Sequence, residues 1–471
     1  MWWYAMPHCQ QQGNPSCNFV QSIGACLSNG DSPLPVPHTA MVIALAWGKV
    51  TLPHARAFTR VKHYRWAILT VMSVTLGVQS GVRVAFSVFY VALRQEFGWS
   101  AAATAGVFSL YMGVLAVSSP LVGWLLDRYG ARRLLTLAAL LVGVSLWGCS
   151  AIHTLWHFYL AYGLLLALGQ TGLSSGATSV VLARWFPDMR GRAIALADIG
   201  TALGTAMYSP WSQWLIETYG WRSAFVWLGS SVMVLLVPLN CWQRSAPPRS
   251  SAPSTGHASA AQAVAVENND VSWTLAQVLR SVPFWMLFSA MFFSSIGQQV
   301  VNVHLVALLV SVGVTAMAAA TVGGLVNFVS LGGRVGCGWL TDRLGGETSY
   351  TAATLCSIAG MGVLLGLTPA HATWLLVVFV IIFGLGKGSS GIAIPAKAVD
   401  IFHGERLGTI FGLINTASGL GGAIGPWWGG WIVDRTGSYQ TALVCSIATA
   451  GLAIACIWLV EWRRAYAEGR R

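Results

Sequence analysis

The stretch Gly123-Trp-Leu-Leu-Asp-Arg-Tyr-Gly130 decides the fold, because it returns as Gly338-Trp-Leu-Thr-Asp-Arg-Leu-Gly345 at an offset of 338 − 123 = 215 residues. Landmarks that repeat at one offset indicate a chain built from two copies of one unit. The other matching stretches, at offsets of 215 to 217 residues, are 98–106 with 313–323 and Ser209-Pro-Trp211 with Gly425-Pro-Trp427.

The composition indicates a lipid environment. Of the 471 residues, 55% are hydrophobic and 9% charged, and the mean hydropathy is +0.62, which exceeds what the core of a soluble domain needs. Twelve long apolar runs lie between Trp66 and Glu461. A bilayer core of about 30 Å is crossed by roughly 20 apolar residues in a helix. The sequence therefore predicts an all-α membrane protein of twelve transmembrane helices in two six-helix, pseudo-symmetric bundles.

Four segments follow from this pattern. Residues 1–62 do not fit the repeat and are expected to be a disordered N-terminal tail, with Met41 as an alternative natural start. Residues 63–243 are the N-terminal bundle and 281–471 the C-terminal bundle. Residues 244–280, which begin with a run rich in Pro and Ser, are expected to form a cytoplasmic linker.

Arginine placement predicts the orientation. If both termini are cytoplasmic, most loop arginines face the cytoplasm, whereas Arg94, Arg222 and Arg435 face the other side. We expect a multi-pass protein of the inner (cytoplasmic) membrane. The net charge of +12 then reflects topology and a lipid bilayer as partner, not nucleic-acid binding, which would need a soluble basic face.

The loop from Gly123 to Arg133 resembles the signature loop of the major facilitator superfamily, and the copy at Gly338 lies where that family expects it. Within the superfamily, the chain resembles the branch of bacterial monocarboxylate and oxalate:formate transporters. The stretches that carry this second resemblance are Glu96-Phe-Gly-Trp99, Arg184-Trp-Phe-Pro187, Tyr219–Phe225 and Gly412-Leu-Ile-Asn415.

The resemblance implies a conformational latch in the repeated loop. An acid flanked by arginines can form charge-assisted contacts that exist in one conformation and break in another. The alternative is that the arginines only enforce topology, which leaves the aspartate unexplained because acids contribute little to orientation. The predicted latch residues are Gly123, Asp127, Arg128, Arg132, Arg133, Asp342 and Arg343.

Ionisable residues within the apolar runs point to the solute. Each costs at least about 2.5 kcal/mol at the bilayer centre if uncompensated. Arg83, Arg334 and Lys387 outnumber the acid Asp198 in these runs, and an arginine fork binds a carboxylate well. We expect these three cations, with Gln79 and Asn302, to bind an organic anion. We expect His304 and Asp198 to couple the movement of the anion to that of a proton.

Each of these residues also has a structural interpretation. Arg334 aligns by resemblance with an arginine that binds the substrate carboxylate, but Ser330 stands where the family has an acid, and Arg334 or Arg83 could instead snorkel to the surface. A lone helical histidine such as His304 often serves packing, and Asp198 fits an ion pair as well as a proton relay. Two further charged residues, Lys397 and Asp400, are expected to be solvated.

The expected function is secondary active transport of a small organic anion, a monocarboxylate, by alternating access with proton symport or anion exchange. No nucleophile elbow or Walker motif lies in a suitable context, so we expect neither enzymatic activity nor a cofactor or bound metal. The chain is expected to act as a monomer. The alternatives are a proton-coupled drug or metabolite efflux pump and a membrane receptor or sensor of the same fold.

Overall fold

The computed structural model describes residues 53–187, 189–243, 275–367, 372–387, 390–402 and 407–468. Within these ranges the regular elements are helices, which confirms the all-α prediction. They form twelve transmembrane helices, and a short helix, Leu275–Arg280, precedes the seventh. The twelve are α1 Pro53–Phe97, α2 Ala101–Tyr129, α3 Ala131–Ser150, α4 Leu155–Trp185, α5 and α6 the two parts of Arg190–Trp242, α7 Val282–Ser311, α8 Ala316–Leu344, α9 Gly346–Leu365, α10 the pair Ala372–Gly386 and Ser390–Ile401, α11 Leu407–Thr436 and α12 Tyr439–Glu468.

Ten of the described helices are long and apolar enough to cross a membrane by length and composition. Arg190–Trp242 is counted once among the ten, although its 53 residues would make a helix of about 80 Å if straight, more than twice the bilayer core. Gly220, with φ of 80°, interrupts it and separates α5 from α6.

The turns show why both halves fold alike. Three glycines with positive φ in the first half recur in the second at offsets of 215, 215 and 217 residues. The helix that follows the first pair is capped each time by a hydroxyl: Ser100 accepts from the Ala103 N–H and Thr315 from the Ala318 N–H. The same local sequence therefore sets the same turns twice. The glycine pairs are Gly98 and Gly313, Gly130 and Gly345, and Gly220 and Gly437.

Two equivalent helices are broken at equivalent depth. In the first half, α4 contains a π-helical stretch, Tyr159–Leu166, and is interrupted between Gly172 and Ser175. In the second half, α10 is interrupted between Gly386 and Ser390, again about 215 residues further along. Interrupted helices at membrane depth are typical of transporter binding sites, because they free backbone groups and place side chains at the midplane.

We name the two ends of the helical unit by their turns. The motif end carries Gly130 and Gly345, and the opposite end carries Gly98 and Gly313. At the opposite end the halves are joined by hydrogen bonds: the Asp434 carboxylate accepts from the N–H groups of Ala101 (2.7 Å) and Ala102 (2.8 Å), at the start of α2. Nearby, the Arg94 guanidinium donates to the Tyr439 hydroxyl at 2.6 Å.

Closer to the middle, α5 and α8 also join the halves. The Ser209 hydroxyl donates to the Ala320 carbonyl at 2.7 Å, and Gly324 lies against the backbone of Ala206. At the motif end, the ion pairs join helices of the same half: Asp127 with Arg184 at 2.8 Å in the first half, and Glu347 with Lys397 at 2.8 Å in the second. The described contacts between the halves are therefore concentrated towards the opposite end.

Lys397 does not lie where the sequence placed it. The expectation of a solvated side chain is wrong, because Lys397 is 4% exposed and bonded to Glu347 of α9. Its aliphatic stem is buried and its charge is matched by the carboxylate, which makes burial tolerable. The side chain of Asp400, most of the N-terminal tail and most of the linker lie outside the described residues. The boundaries of the tail, linker and bundles stay predictions.

Candidate functional site

Lys387 occupies the end of the first part of α10, where the helix is interrupted. Its ammonium donates to the amide oxygens of Asn302 on α7 (2.6 Å) and Asn327 on α8 (2.7 Å). Among the described residues it forms no ion pair with a carboxylate. The C-terminal carbonyl groups of a helix favour a cation, which explains the placement without neutralising the charge. Lys387 thus brings a positive charge, supported by neutral oxygens, to the middle of the second half.

Arg334 lies on α8, roughly 15 Å from the motif end of that helix at 1.5 Å per residue. Its guanidinium donates to the Asp198 carboxylate on α5 at 2.7 Å, so this ion pair joins the two halves. The side chain of Arg334 is 41% exposed and that of Asp198 is 30% exposed, although each faces the other half. Both groups are therefore only partly buried by the pairing.

Arg83 belongs to the same region. It is half-buried on α1 and forms no hydrogen bond or ion pair within the part of the chain that the structure describes. Arg334 and Arg83 both lie within electrostatic range of Lys387, so the three basic side chains share one region. Gln79, one turn before Arg83, is buried and accepts from the Ser80 hydroxyl at 3.0 Å.

His304 lies away from this cluster. Its Nε2 is 3.0 Å from the Pro426 carbonyl oxygen, and its ring packs edge-on against Tyr90 with centroids 5.2 Å apart. It is 3% exposed, and the groups that act on its charge include Arg94 and Asp434 at the opposite end. The structure therefore places the two predicted proton-coupling residues apart: Asp198 is bonded to Arg334, and His304 is packed within the contact between the halves.

The predicted latch residues lie at the motif end. Asp127 is bonded to Arg184 of α4, a residue that was not among the predicted latch residues. Arg128 lies over the rings of Trp124 and Tyr129, and Arg343 lies over Trp339 with 4.2 Å between its guanidinium carbon and the ring centroid. A Cβ built on Gly123 or Gly338 would have no described atom within 4 Å. The latch itself stays a prediction.

Sequence reasoning missed the residues that support Lys387. Asn327 shares a helical face with Arg334, seven residues further on, and this spacing was a usable signal. Gln299 was also missed: its side-chain oxygen accepts from the Asn302 amide at 2.6 Å, which orients Asn302 so that its own oxygen faces Lys387. The amides therefore act as a chain that fixes the ammonium.

Three cations and one carboxylate, contributed by α1, α5, α8 and α10, make this region positive. At membrane depth the excess charge has little solvent to stabilise it, so a negatively charged solute is favoured there. No cluster of three or more His, Cys, Asp or Glu side chains that could hold a metal ion occurs among the described residues. The arrangement suits binding and release of an anion between two halves.

The family model of the Major Facilitator Superfamily matches residues 69–426, and the chain belongs to that family. It is a multi-pass membrane transporter, not an enzyme. Rat monocarboxylate transporter 13 is 27% identical over 368 residues, covering 77% of this chain and 81% of that protein. Rat monocarboxylate transporter 4 is 25% identical over 381 residues, covering 80% and 79%.

The solved structures show the same fold. One is a bacterial homolog of the human lysosomal transporter Spinster in an inward-facing, unoccupied conformation. It superposes with a TM-score of 0.64 at 17% sequence identity, covering 84% of this chain and 97% of that one. The twelve-helix major facilitator fold expected from the sequence is thereby confirmed.

Proposed function

We propose that this transporter carries a small organic anion, a monocarboxylate, by alternating access between its two halves. The observation that supports this most directly is the charge of the central cluster. Among the described residues at that depth, three side chains are basic (Arg83, Arg334 and Lys387) and one, Asp198, is acidic. A carboxylate can accept two hydrogen bonds from the arginine fork, which a neutral or cationic solute cannot do. The relatives named as monocarboxylate transporters point to the same solute class.

We propose that solute reaches the cluster from the motif end. Most described hydrogen bonds between the halves lie at the opposite end and at middle depth, through Asp434, Arg94 and Ser209, and the Arg334–Asp198 pair lies nearest to the motif end. The excess of basic residues near the motif end makes that end cytoplasmic by the positive-inside rule. In the described conformation the site then communicates with the cytoplasm, and the other state requires the contact at the opposite end to open.

Uptake into proteoliposomes tests the function. The full chain is reconstituted, and saturable uptake of labelled acetate, lactate, pyruvate and oxalate is measured at two pH values, with and without unlabelled acid inside. Stimulation by an inward proton gradient indicates symport, whereas stimulation by internal acid indicates exchange. Binding without uptake would instead support a sensor, and absence of uptake and binding across the panel would overturn the proposal.

Arg334→Gln is the decisive variant because it removes the fork that faces Asp198. We expect uptake to be abolished. Arg334→Lys keeps the charge without the planar geometry, and we expect its KM to rise about tenfold. The matched control is Arg435→Gln, which changes an exposed arginine lying over Trp431. Uptake by the control should match that of the native chain.

A further inference from the structure

Tyr111 on α2 carries a polar group that neither the fold nor the proposed function uses. The residue is fully buried, and its hydroxyl has no hydrogen-bond partner among the described residues. A buried hydroxyl without an acceptor is unfavourable, and such groups are rare in folded proteins. The hydroxyls of Tyr90 and Tyr350 are also buried without a partner among the described residues, so what distinguishes Tyr111 is its position beside the basic side chain of Arg83.

The position of Tyr111 is fixed by its neighbours. Its ring lies 5.8 Å from that of Tyr162, which belongs to the π-helical stretch of α4. The Tyr162 hydroxyl reaches the Val82 carbonyl at 3.5 Å, immediately before Arg83 in the chain. The charge of Arg83 acts on both tyrosines. Tyr111 and Arg83 therefore belong to one locality between α1, α2 and α4.

Two polar groups in this locality have no hydrogen-bond partner among the described residues. The Arg83 guanidinium carries donors and no acceptor, and it forms no hydrogen bond or ion pair within the described ranges. The Tyr111 hydroxyl proton is equally unused. A carboxylate has two oxygens and can accept from both groups at once, and it neutralises the arginine.

We propose that Arg83 and Tyr111 form a carboxylate subsite in the first half, with the Tyr111 hydroxyl as a substrate-binding group. This inference rests on the proposed function and gives the solute a contact in each half: Arg83 and Tyr111 in the first, Arg334 and Lys387 in the second. A solute that contacts both halves can favour one relative arrangement of them over another, as alternating access requires. The π-helical stretch of α4 brings Tyr162 into place to position the Tyr111 ring.

Tyr111→Phe tests the subsite, because it removes the hydroxyl and keeps the ring that packs on Phe108 and Tyr162. We expect roughly tenfold weaker equilibrium binding of the labelled acid that wild type transports best, with a matching rise in KM. Tyr350→Phe is the control: this tyrosine is also fully buried, but lies on α9 in the second half. Binding is expressed per folded molecule, isolated as a monodisperse peak, so that a loss of stability does not imitate a loss of affinity.

A double-mutant cycle with Arg83→Gln separates a shared carboxylate from two independent effects. If both side chains hold the same group, Tyr111→Phe should cost much less affinity in the Arg83→Gln background than in the native chain. Unchanged binding by Tyr111→Phe, or strictly additive losses, would overturn the subsite. If Arg334→Gln abolishes uptake while Tyr111→Phe binds normally, the subsite is wrong and the proposed function stands. If wild type neither binds nor transports any acid of the panel, the proposed function fails first.

Discussion

The Asp198 carboxylate is close enough to the Arg334 guanidinium to act as an internal ligand of it. The carboxylate of Asp198 occupies the guanidinium as a solute carboxylate would, and it does so from the other half of the protein. On the proposed function, solute binding at Arg334 competes with this internal carboxylate. A competitor of this kind lowers the apparent affinity in proportion to the fraction of molecules in which the pair is closed.

Asp198→Asn should expose this competition. We expect the KM for uptake to fall by about threefold or more, because the neutral amide binds Arg334 more weakly than the carboxylate does. The measurement is concentration-dependent uptake into proteoliposomes. Glu217→Gln is the control, since Glu217 lies further along α5 and is bonded to Gln213 on its own helix. A KM that is unchanged or raised in Asp198→Asn would show that the acid does not compete with the solute.

Particular residues show what could be inferred of the site. Arg83, Arg334 and Lys387 were predictable because a charge in an apolar run is conspicuous. Their partners were not, since sequence spacing gives depth along a helix but not which helix stands opposite. The Arg334–Asp198 pair spans 136 positions, and Lys387 reaches Asn302 across 85. Asn327 could be found only through its spacing from Arg334 on one helical face, because an uncharged amide gives no signal of its own.

At the scale of the helix, the close approach of α1 and α5 depends on glycine. A Cβ built on Gly204 would lie 1.9 Å from the Gly77 carbonyl oxygen, and one on Gly200 would lie 1.9 Å from the Ser73 carbonyl oxygen. These neighbours are backbone atoms, which cannot move aside without separating the helices. Small residues allow such packing in membranes, where apolar burial gives helices little reason to associate.

Gly204→Ala should therefore destabilise the protein by about 1–3 kcal/mol, the usual cost of overpacking a close contact. We expect a lower melting temperature in detergent, followed by intrinsic fluorescence or by loss of the monodisperse peak on heating. Gly412→Ala is the control, because a Cβ there has no described atom within 4 Å. It should leave the melting temperature unchanged or raise it slightly, as alanine favours helix over glycine. Equal melting temperatures for the two variants would contradict the packing argument.

The helices themselves were well predicted for a physical reason. Lipid requires every backbone group to be bonded internally, so a long apolar run has few options besides a helix. The interruptions of α4 and α10 were harder to predict. The sequence stays apolar near each of them, as at Gly172 and Gly386, so the hydropathy pattern does not mark them. The burial of Lys397 was missed for a related reason: position near a helix end indicates solvent, whereas its partner Glu347 comes from another helix.

For the whole molecule, the contact at the opposite end is the part that must break in the other state. Asp434 of α11 caps the first turn of α2 with both carboxylate oxygens, so this side chain makes two of the hydrogen bonds that join the halves there. A carboxylate at a helix N-terminus is stabilised by the unpaired N–H groups and by the helix dipole. An amide keeps the shape but loses the charge and one acceptor.

Asp434→Asn should shift the population towards the state that is open at the opposite end. We expect a longer-distance component to grow in pulsed EPR between spin labels at Gln95 and Gln440, two exposed positions in different halves, in a background with the native cysteines replaced. The neighbouring Arg435→Gln leaves both capping bonds in place and should keep the native distribution. Identical distributions in the two variants would show that Asp434 does not control this closure.

The turns and caps were kept in both copies of the repeat, and so was the Asp-Arg pair of the repeated loop, but the cations of the central cluster were not. At the fixed spacing, Arg83 corresponds to Gln298, Lys387 to Gly172 and Arg334 to Ser119. The two copies thus form similar scaffolds with different side chains at corresponding positions. On the proposed function, a carboxylate bound between them meets different groups on its two sides, so its orientation is set by that asymmetry.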